Sequence, residues 1–209
     1  MNKLLFNVVI SFKKEAYIVL GTLAFILFLP LISVVVIANA GVAAVSQALA
    51  AVNPITHIVE IFDSKGNKVG ERELSTVWPI KGTITDTFGA YEDFRVNLGL
   101  GAHTGIDIGA NAGTPITPFA KGKVIMVQDF VRDACGLGVK IDHGGGVESL
   151  YCHMSKTNAT VGQEVKPGDV IGYVGTTGAS TGNHLHFQIN VHGIPVNPRT
   201  FMAGELNNE

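Results

Sequence analysis

Short apolar runs separated by glycine-containing turns fill the chain beyond Trp78, and none of them continues with helical periodicity. Five of these runs have the length and composition of strands: 123–128, 138–142, 147–153, 170–174 and 185–191. Several short strands at this spacing are typical of packed antiparallel sheets. The pattern therefore predicts an all-β domain over residues 78–203, followed by a tail at 204–209.

The N-terminal part has a different pattern, because residues 16–38 contain no charged side chain. A helix of this length spans a bilayer. Residues 1–15 carry three lysines and no Lys or Arg closely follows the apolar run, so the charge bias places residues 1–15 in the cytoplasm and the rest outside. The alternative is a cleaved signal peptide that ends in the A-x-A sequence at 38–40. We favour the retained anchor, since the apolar run is long for a signal peptide.

Residues 39–77 connect the predicted anchor to the predicted domain. The alanine-rich stretch 41–52 is compatible with a helix that extends the anchor or forms a stalk. Apolar and polar residues then alternate on both sides of a turn-forming cluster at 63–67, which predicts a small hairpin or a linker. The formal net charge is -2 and charged residues make up 15% of the chain. Without a large basic field, we expect no nucleic-acid partner.

The two cysteines flank a predicted hairpin whose turn is rich in glycine. An exported domain permits a disulfide between Cys135 and Cys152, whereas two buried free thiols are the alternative. If the turn occupies residues 142–145, Ile141 lies opposite Gly146 and the two cysteines face each other across the hairpin. We therefore expect a Cys135–Cys152 disulfide.

Two histidines stand on either side of one leucine in the stretch "TGNHLHFQIN", residues 181–190. In a strand, His184 and His186 project to one face while the apolar residues between and after them project to the other. This pair alone fits surface or hydrogen-bonded histidines as well as it fits a metal site. The choice depends on partners elsewhere in the chain.

Those partners are found in "HTGID" and "LYCHMS". In an extended strand His103 and Asp107 would lie about 13 Å apart, too far to hold one ion, so a bend at Gly105 is needed. Considered alone, Asp107 could simply cap a turn. His153, near the end of a predicted strand, could be an ordinary histidine of the core or its rim. Zinc hydrolases use three protein ligands from His, Asp, Glu and Cys, with further groups for proton transfer and oxyanion stabilisation. Together the five residues offer such a set.

The order of "HTGIDIGANAGTPI", "LYCHMS", "GQEVKPGDVIGYVGTTGASTGNHLHFQI" and "PVNP" closely resembles the M23 family of zinc metallopeptidases, the lysostaphin-like or LytM-like peptidoglycan endopeptidases. The resemblance covers about residues 78–201. It implies that Zn2+ is bound by three residues: His103, Asp107 and His186. It also implies that His153 and His184 are the catalytic histidines and that the fold is an antiparallel β-sandwich. Gln188 departs from the family, since an acidic residue is frequent there.

The expected function is zinc-dependent hydrolysis of peptide bonds in peptidoglycan stem peptides or cross-bridges. The expected location is the bacterial cell membrane, with the domain on its outer side. The alternative is a non-catalytic LytM-like module that binds the wall or activates amidases, and the presence of all five site residues favours the enzyme. A role within a conjugation, secretion or phage machine is compatible with the sequence. His57, His143 and His192 match no motif and are interpreted as surface or turn residues.

Overall fold

The computed structural model describes residues 49–52, 58–63, 65–90, 97, 99, 101–128, 134–202 and 206. These residues form thirteen strands and one 3-10 helix: β1 (Ala50–Val52), β2 (Ile58–Phe62), β3 (Lys68–Glu73), β4 (Thr83–Asp86), β5 (Ile106–Gly109), β6 (Pro115–Ile116), β7 (Gly122–Gln128), β8 (Leu137–Gly144), β9 (Val147–Thr157), β10 (Glu164–Val165), β11 (Gly172–Val174), β12 (His184–Val191), β13 (Ile194–Val196) and the helix Pro198–Phe201. The predicted anchor at 16–38 lies outside the described residues. Within the described ranges, no helix has the length and apolar character needed to cross a membrane.

The domain is all-β with antiparallel sheets, as predicted. Its main sheet has the order β10-β7-β8-β9-β12-β5-β4, with β6, β11 and β13 attached at the side. Side chains alternate along the central strands, so that Ile106 and Ile108 of β5 and Leu185 and Phe187 of β12 are fully buried. Tyr151 of β9 packs against Phe187 with ring centroids 5.4 Å apart. The core therefore holds β9, β12 and β5 side by side.

A smaller sheet of β1, β2 and β3 precedes the main sheet. β2 and β3 form the predicted hairpin, with the turn-forming cluster between them. The expectation of a helix over 41–52 is wrong for Ala50–Val52, which pairs with β2 as a third strand. The physical reason is packing: Ala50 lies opposite Ile61, and both side chains are buried in the core. Tertiary burial outweighs the weak helix preference of a short alanine-rich stretch.

The β8–β9 hairpin has a different register from the predicted one. Gly144 pairs with Val147, so the turn consists of Gly145 and Gly146, whose φ angles are 64° and 80°. Two left-handed residues are what a tight two-residue hairpin turn requires. Ile141 consequently lies opposite Ser149 instead of Gly146.

The disulfide between Cys135 and Cys152 is present, with the two Cα atoms 4.9 Å apart. It does not arise from the predicted cross-strand pairing, because Cys135 precedes β8 and lies in a turn at its start. The turn folds back onto β9, and the Cys135 carbonyl accepts a hydrogen bond from the His153 N–H at 2.8 Å. The predicted bond is thus confirmed with a different geometry.

His143 is a core residue, and its interpretation as a surface or turn residue is wrong. Its exposed fraction is 7%, since β8 alternates and places His143 on the same inner face as Val139 and Ile141. The ring lies edge-on to Phe119, with centroids 4.5 Å apart. His192 is exposed in a turn, as predicted, and His57 lies outside the described residues.

Candidate metal centre and active site

Antiparallel pairing of β12 with β5 brings the H-x-H pair next to the carboxylate. His186 lies directly opposite Asp107, and His184 lies opposite Gly109 two positions along. Both histidines project from one face of β12, as strand alternation predicts, while Leu185 is buried on the other face. The sheet register alone therefore places Asp107 between the two imidazoles.

His103 reaches the same point from the loop before β5. Its backbone is fixed by two hydrogen bonds, from the His103 N–H to the Ala90 carbonyl at 2.9 Å and from the Gly89 N–H to the His103 carbonyl at 2.8 Å. Nε2 of His103 lies 3.0 Å from Oδ1 of Asp107 and 2.9 Å from Nδ1 of His186. Nδ1 of His186 is in turn 2.9 Å from the same carboxylate oxygen. Three ligand atoms thus form a nearly equilateral triangle.

This triangle fits a zinc ion. Bonds of about 2.0–2.1 Å in tetrahedral geometry hold ligand atoms about 3.3 Å apart, close to the spacing found here. Nδ1 of His103 faces the Asp86 carboxylate at 3.0 Å and the Thr87 carbonyl at 3.1 Å, so its proton is on that side and Nε2 is free to bind a metal. Orientation of a ligating imidazole by an acceptor on its far nitrogen is a regular feature of metal sites.

The charge states of the triangle also suit a cation. Burial by itself raises the pKa of Asp107, but the neighbouring imidazoles of His103 and His186 outweigh it and hold that pKa far below its ordinary value. Burial lowers the pKa of His186, against the opposing effect of Asp107. The site therefore offers an ionised carboxylate and a neutral imidazole, the forms in which these groups bind metals.

Gly105 is required because the structure leaves no room for a side chain at this position. The predicted bend is present, since His103 reaches Asp107, and the φ of Gly105 lies outside the left-handed region. A Cβ atom at this position would collide with the Phe187 carbonyl oxygen and would lie 2.9 Å from Cε1 of His186. Glycine lets the loop pass directly over the His186 ring, and this close approach is what brings His103 to Asp107.

His153 faces the site because its backbone breaks the alternation of β9. Strand periodicity places His153 on the core side with Tyr151, but its φ is 62° and the strand's register against β11 shifts nearby. Met154, the next residue, is fully buried instead. The His153 ring consequently lies 4.6 Å from the His184 ring and 6.0 Å from the His186 ring, centroid to centroid.

Both remaining histidines are oriented by backbone carbonyls. Nδ1 of His153 lies 2.7 Å from the Thr177 carbonyl, and Nδ1 of His184 lies 2.9 Å from the Gly182 carbonyl. A proton on each Nδ1 satisfies these contacts, and it leaves Nε2 of His153 unprotonated. Burial lowers the pKa of His153 to about 4, only partly offset by the Thr177 carbonyl. His153 is thus a neutral proton acceptor at physiological pH.

A groove of about 280 Å³ ends at this cluster. Its floor is formed by β12 and β9 through His186, Gln188, Leu150 and Cys152. Gln188 accepts a hydrogen bond from the Thr104 hydroxyl at 2.6 Å, and it also contacts the His186 side chain. His153 and His186 line this groove, so a molecule bound there contacts both rings.

All five residues singled out in the sequence are therefore brought together, in agreement with the grouping of His103, Asp107 and His186 as a candidate metal site. A sequence model described as peptidase family M23 matches residues 101–198, which include every one of them. Residues 101–198 are a peptidase M23 domain.

Curated relatives of this M23 domain include enzymes from two Gram-negative bacteria. The DD-carboxypeptidase/endopeptidase Mpg of Neisseria meningitidis serogroup B is 38% identical over 137 residues, which cover 65% of this chain and 31% of Mpg. The peptidoglycan DD-endopeptidase ShyA of Vibrio cholerae is 35% identical over 138 residues, which cover 66% of this chain and 32% of ShyA. The matched part thus spans about a third of the length of these relatives.

A solved structure of a zinc-containing peptidase from Vibrio cholerae is also similar to the M23 domain. The TM-score is 0.54 at 27% sequence identity, and the match covers 72% of this chain and 47% of that one.

Sequence reasoning missed two residues that support the site, Asp86 and Thr177. Asp86 is brought to His103 by the pairing of β4 with β5, where it lies opposite Asp107 across an irregularity. Thr177 is brought to His153 by the loop before β12. Neither has a local sequence pattern that points to a histidine, so only long-range pairing reveals these contacts.

Proposed function

We propose that the protein is a zinc-dependent endopeptidase that hydrolyses peptide bonds in peptidoglycan stem peptides or cross-bridges. The observation that carries this proposal is the triangle of His103 Nε2, Asp107 Oδ1 and His186 Nδ1, with all three separations at 2.9–3.0 Å. His153 and His184 lie beside it, with their ring centroids 4.6 Å apart. The match of residues 101–198 to peptidase family M23 and a relative named as a peptidoglycan endopeptidase support the same reaction.

In this proposal His103, Asp107 and His186 hold the zinc ion. A zinc ion in such a site lowers the pKa of water to about 7 and polarises a carbonyl group. His153 accepts a proton through Nε2, since burial keeps it neutral and the Thr177 carbonyl holds its other nitrogen. His184 is the second imidazole within reach of the reacting carbonyl, where a protonated ring stabilises negative charge on oxygen. Asp107 stays ionised throughout.

The non-catalytic alternative would need no intact set of polar groups. Here the two histidines outside the triangle are ordered by carbonyl acceptors, and His103 is ordered by Asp86. Such support at three imidazoles costs folding free energy when it serves no reaction, because buried polar groups must be desolvated. The completeness of the site therefore favours the enzyme.

We further propose that the M23 domain acts outside the cytoplasmic membrane, attached through the apolar run at 16–38. The charge pattern of the N-terminal region and the Cys135–Cys152 disulfide support this location, since disulfides persist in oxidising compartments. Such a placement gives the groove access to the cell wall.

The direct test is digestion of purified muropeptides of defined cross-link chemistry by the full chain. We expect mass spectrometry to detect cleaved peptide bonds, loss of cleavage with 1,10-phenanthroline, and recovery when zinc is added back. The non-chelating isomer 1,7-phenanthroline is the control. Binding of muropeptides without cleavage, by protein that contains zinc, would contradict the endopeptidase and support the wall-binding alternative.

Asp86 offers a second test, directed at the metal site alone. Replacing Asp86 by asparagine keeps the shape but removes the charge that orients Nδ1 of His103. We expect the zinc dissociation constant to rise by about tenfold, the low end of such effects, because the Thr87 carbonyl still accepts from His103. Competition with a fluorescent zinc chelator measures this change. Asp63→Asn, in the turn between β2 and β3, is the matched control, and equal affinities of the two variants would refute the role of Asp86.

A further inference from the structure

Thr177 joins His153 to the turn that precedes β8. Its carbonyl accepts the hydrogen bond from Nδ1 of His153 at 2.7 Å. Its hydroxyl donates to the Met154 carbonyl at 2.8 Å and accepts from the Leu137 N–H at 3.0 Å. One side chain thus bridges the residue after His153 and the start of β8, while the backbone of the same residue holds the imidazole.

The turn at 134–137 is attached to the same two segments. The Ala134 carbonyl accepts from the Ala179 N–H at 2.9 Å, and the Cys135 carbonyl accepts from the His153 N–H at 2.8 Å. The disulfide then links Cys135 to Cys152, the residue immediately before His153. The turn is therefore fixed to β9 by a covalent bond and to the Thr177 loop by hydrogen bonds.

This attachment matters because His153 has an unfavourable backbone conformation. A non-glycine residue at φ 62° persists only where its surroundings determine it on several sides. Here the determinants are the disulfide before it, the buried Met154 after it, and the carbonyls that accept from its N–H and its ring. Gly136 allows the turn to pack closely against Thr177, since a Cβ at this position would lie 2.5 Å from the Thr177 hydroxyl oxygen.

We propose that the Cys135–Cys152 disulfide and Thr177 form one positioning unit that sets the place and tautomer of the His153 ring. The inference rests on the proposed endopeptidase function and goes beyond it. Breaking the disulfide releases the 134–137 turn, and Thr177 then loses the partner that holds its carbonyl against the ring. Full turnover consequently requires the oxidised protein, which restricts the reaction to compartments where disulfides form.

The test compares the zinc-loaded full chain with its Cys135→Ala/Cys152→Ala variant and with wild type reduced by TCEP. We expect kcat to fall by about tenfold to a hundredfold, the cost of misplacing a reacting group. Zinc content is expected to stay constant, since no metal ligand is altered. TCEP added to the double variant is the matched control and should change nothing.

The positioning of His153 can also be tested by NMR spectroscopy, independently of peptidase activity. Long-range ¹H–¹⁵N correlation spectra of the oxidised protein should show His153 as a single Nδ1–H tautomer, and the double variant should show tautomer averaging. Unchanged kcat or an unchanged His153 spectrum in the double variant would overturn the inference, and so would loss of zinc. If oxidised zinc-loaded wild type cleaves no muropeptide, the proposed function fails, whereas the spectra still decide the positioning.

Thr177 variants decide the question if the cysteine variant does not fold. Thr177→Val removes both hydroxyl hydrogen bonds and is expected to lower kcat by about tenfold, while Thr177→Ser restores them and most of the rate. Thr160→Val, at an exposed threonine, controls for the substitution itself. Full activity of Thr177→Val would refute the positioning unit.

Discussion

Replacing His186 by alanine is expected to remove bound zinc and peptidase activity together. Nδ1 of His186 is one corner of the ligand triangle, and its loss leaves only His103 and Asp107. Catalytic zinc sites use three protein ligands, so two do not retain the ion at ordinary free concentrations. Metal analysis of the purified variant and a muropeptide cleavage assay measure the two losses.

His153→Asn is the informative counterpart, because His153 lies beside the triangle and outside it. Asparagine tolerates the left-handed φ of this position, so the backbone should persist. We expect full zinc content and a fall in kcat of about a hundredfold or more, the usual effect of removing a general base. His192→Asn, at an exposed histidine with φ 50°, is the matched control. Zinc retention by His186→Ala, or full activity of His153→Asn, would refute the assignment of roles.

The identity of the five site residues could be predicted from the sequence because each motif is short and its spacing has a direct geometric meaning. Alternation in β12 puts His184 and His186 on one face whatever the partner strand is. The H-x-x-x-D pair needs a close turn, and a glycine between its members permits one. The resemblance to a zinc peptidase family then selected His186, rather than His184, as the candidate metal ligand.

The orientation of His153 could not be predicted in the same way. A regular strand that buries Tyr151 also directs His153 into the core, and nothing in "LYCHMS" indicates the left-handed residue that reverses this. The predicted register of the β8–β9 hairpin was wrong for a related reason. Three consecutive glycines allow several turns, and the Asp142 carboxylate, which accepts the Gly144 N–H at 2.7 Å, helps to select one of them.

His143 shows that a polar residue can be buried although its local sequence suggests an exposed turn. A histidine beside glycines resembles a turn residue, yet it occupies an inward position of β8. Its burial depends on acceptors and donors from distant parts of the chain, Lys121 and Ser149, which no local pattern reveals. The error matters because a buried histidine makes folding depend on pH.

The unfolding free energy is therefore expected to fall by about 3 kcal/mol between pH 7.5 and pH 4 through His143 alone. Burial lowers the pKa of His143 from 6.5 to about 4, partly offset by the Lys121 carbonyl and by the charge of Asp142. The folded pKa is lower than the unfolded one, so the unfolded chain binds the proton first as the pH falls. The stabilisation is complete above pH 6.5, declines between pH 6.5 and 4, and is lost below.

The contacts of the ring explain why the neutral form is preferred. Nδ1 lies 2.9 Å from the Lys121 carbonyl and Nε2 lies 2.7 Å from the Ser149 hydroxyl, whose oxygen is 3.0 Å from the buried Tyr151 hydroxyl. One ring proton on Nδ1 satisfies the Lys121 carbonyl and leaves Nε2 in contact with the Ser149 hydroxyl oxygen. A second proton would place a charge in the core beside the Phe119 ring, far from compensating solvent.

Denaturant unfolding of wild type and His143→Asn across this pH range measures the effect. All other titratable groups are common to the two proteins, so the informative quantity is the difference between the two unfolding free energies. We expect that difference to shrink by about 3 kcal/mol from pH 7.5 to pH 4, because asparagine carries no titratable group. His192→Asn, which removes an exposed histidine, should keep the pH dependence of wild type. Parallel curves for wild type and His143→Asn would show that the buried ring does not govern acid stability.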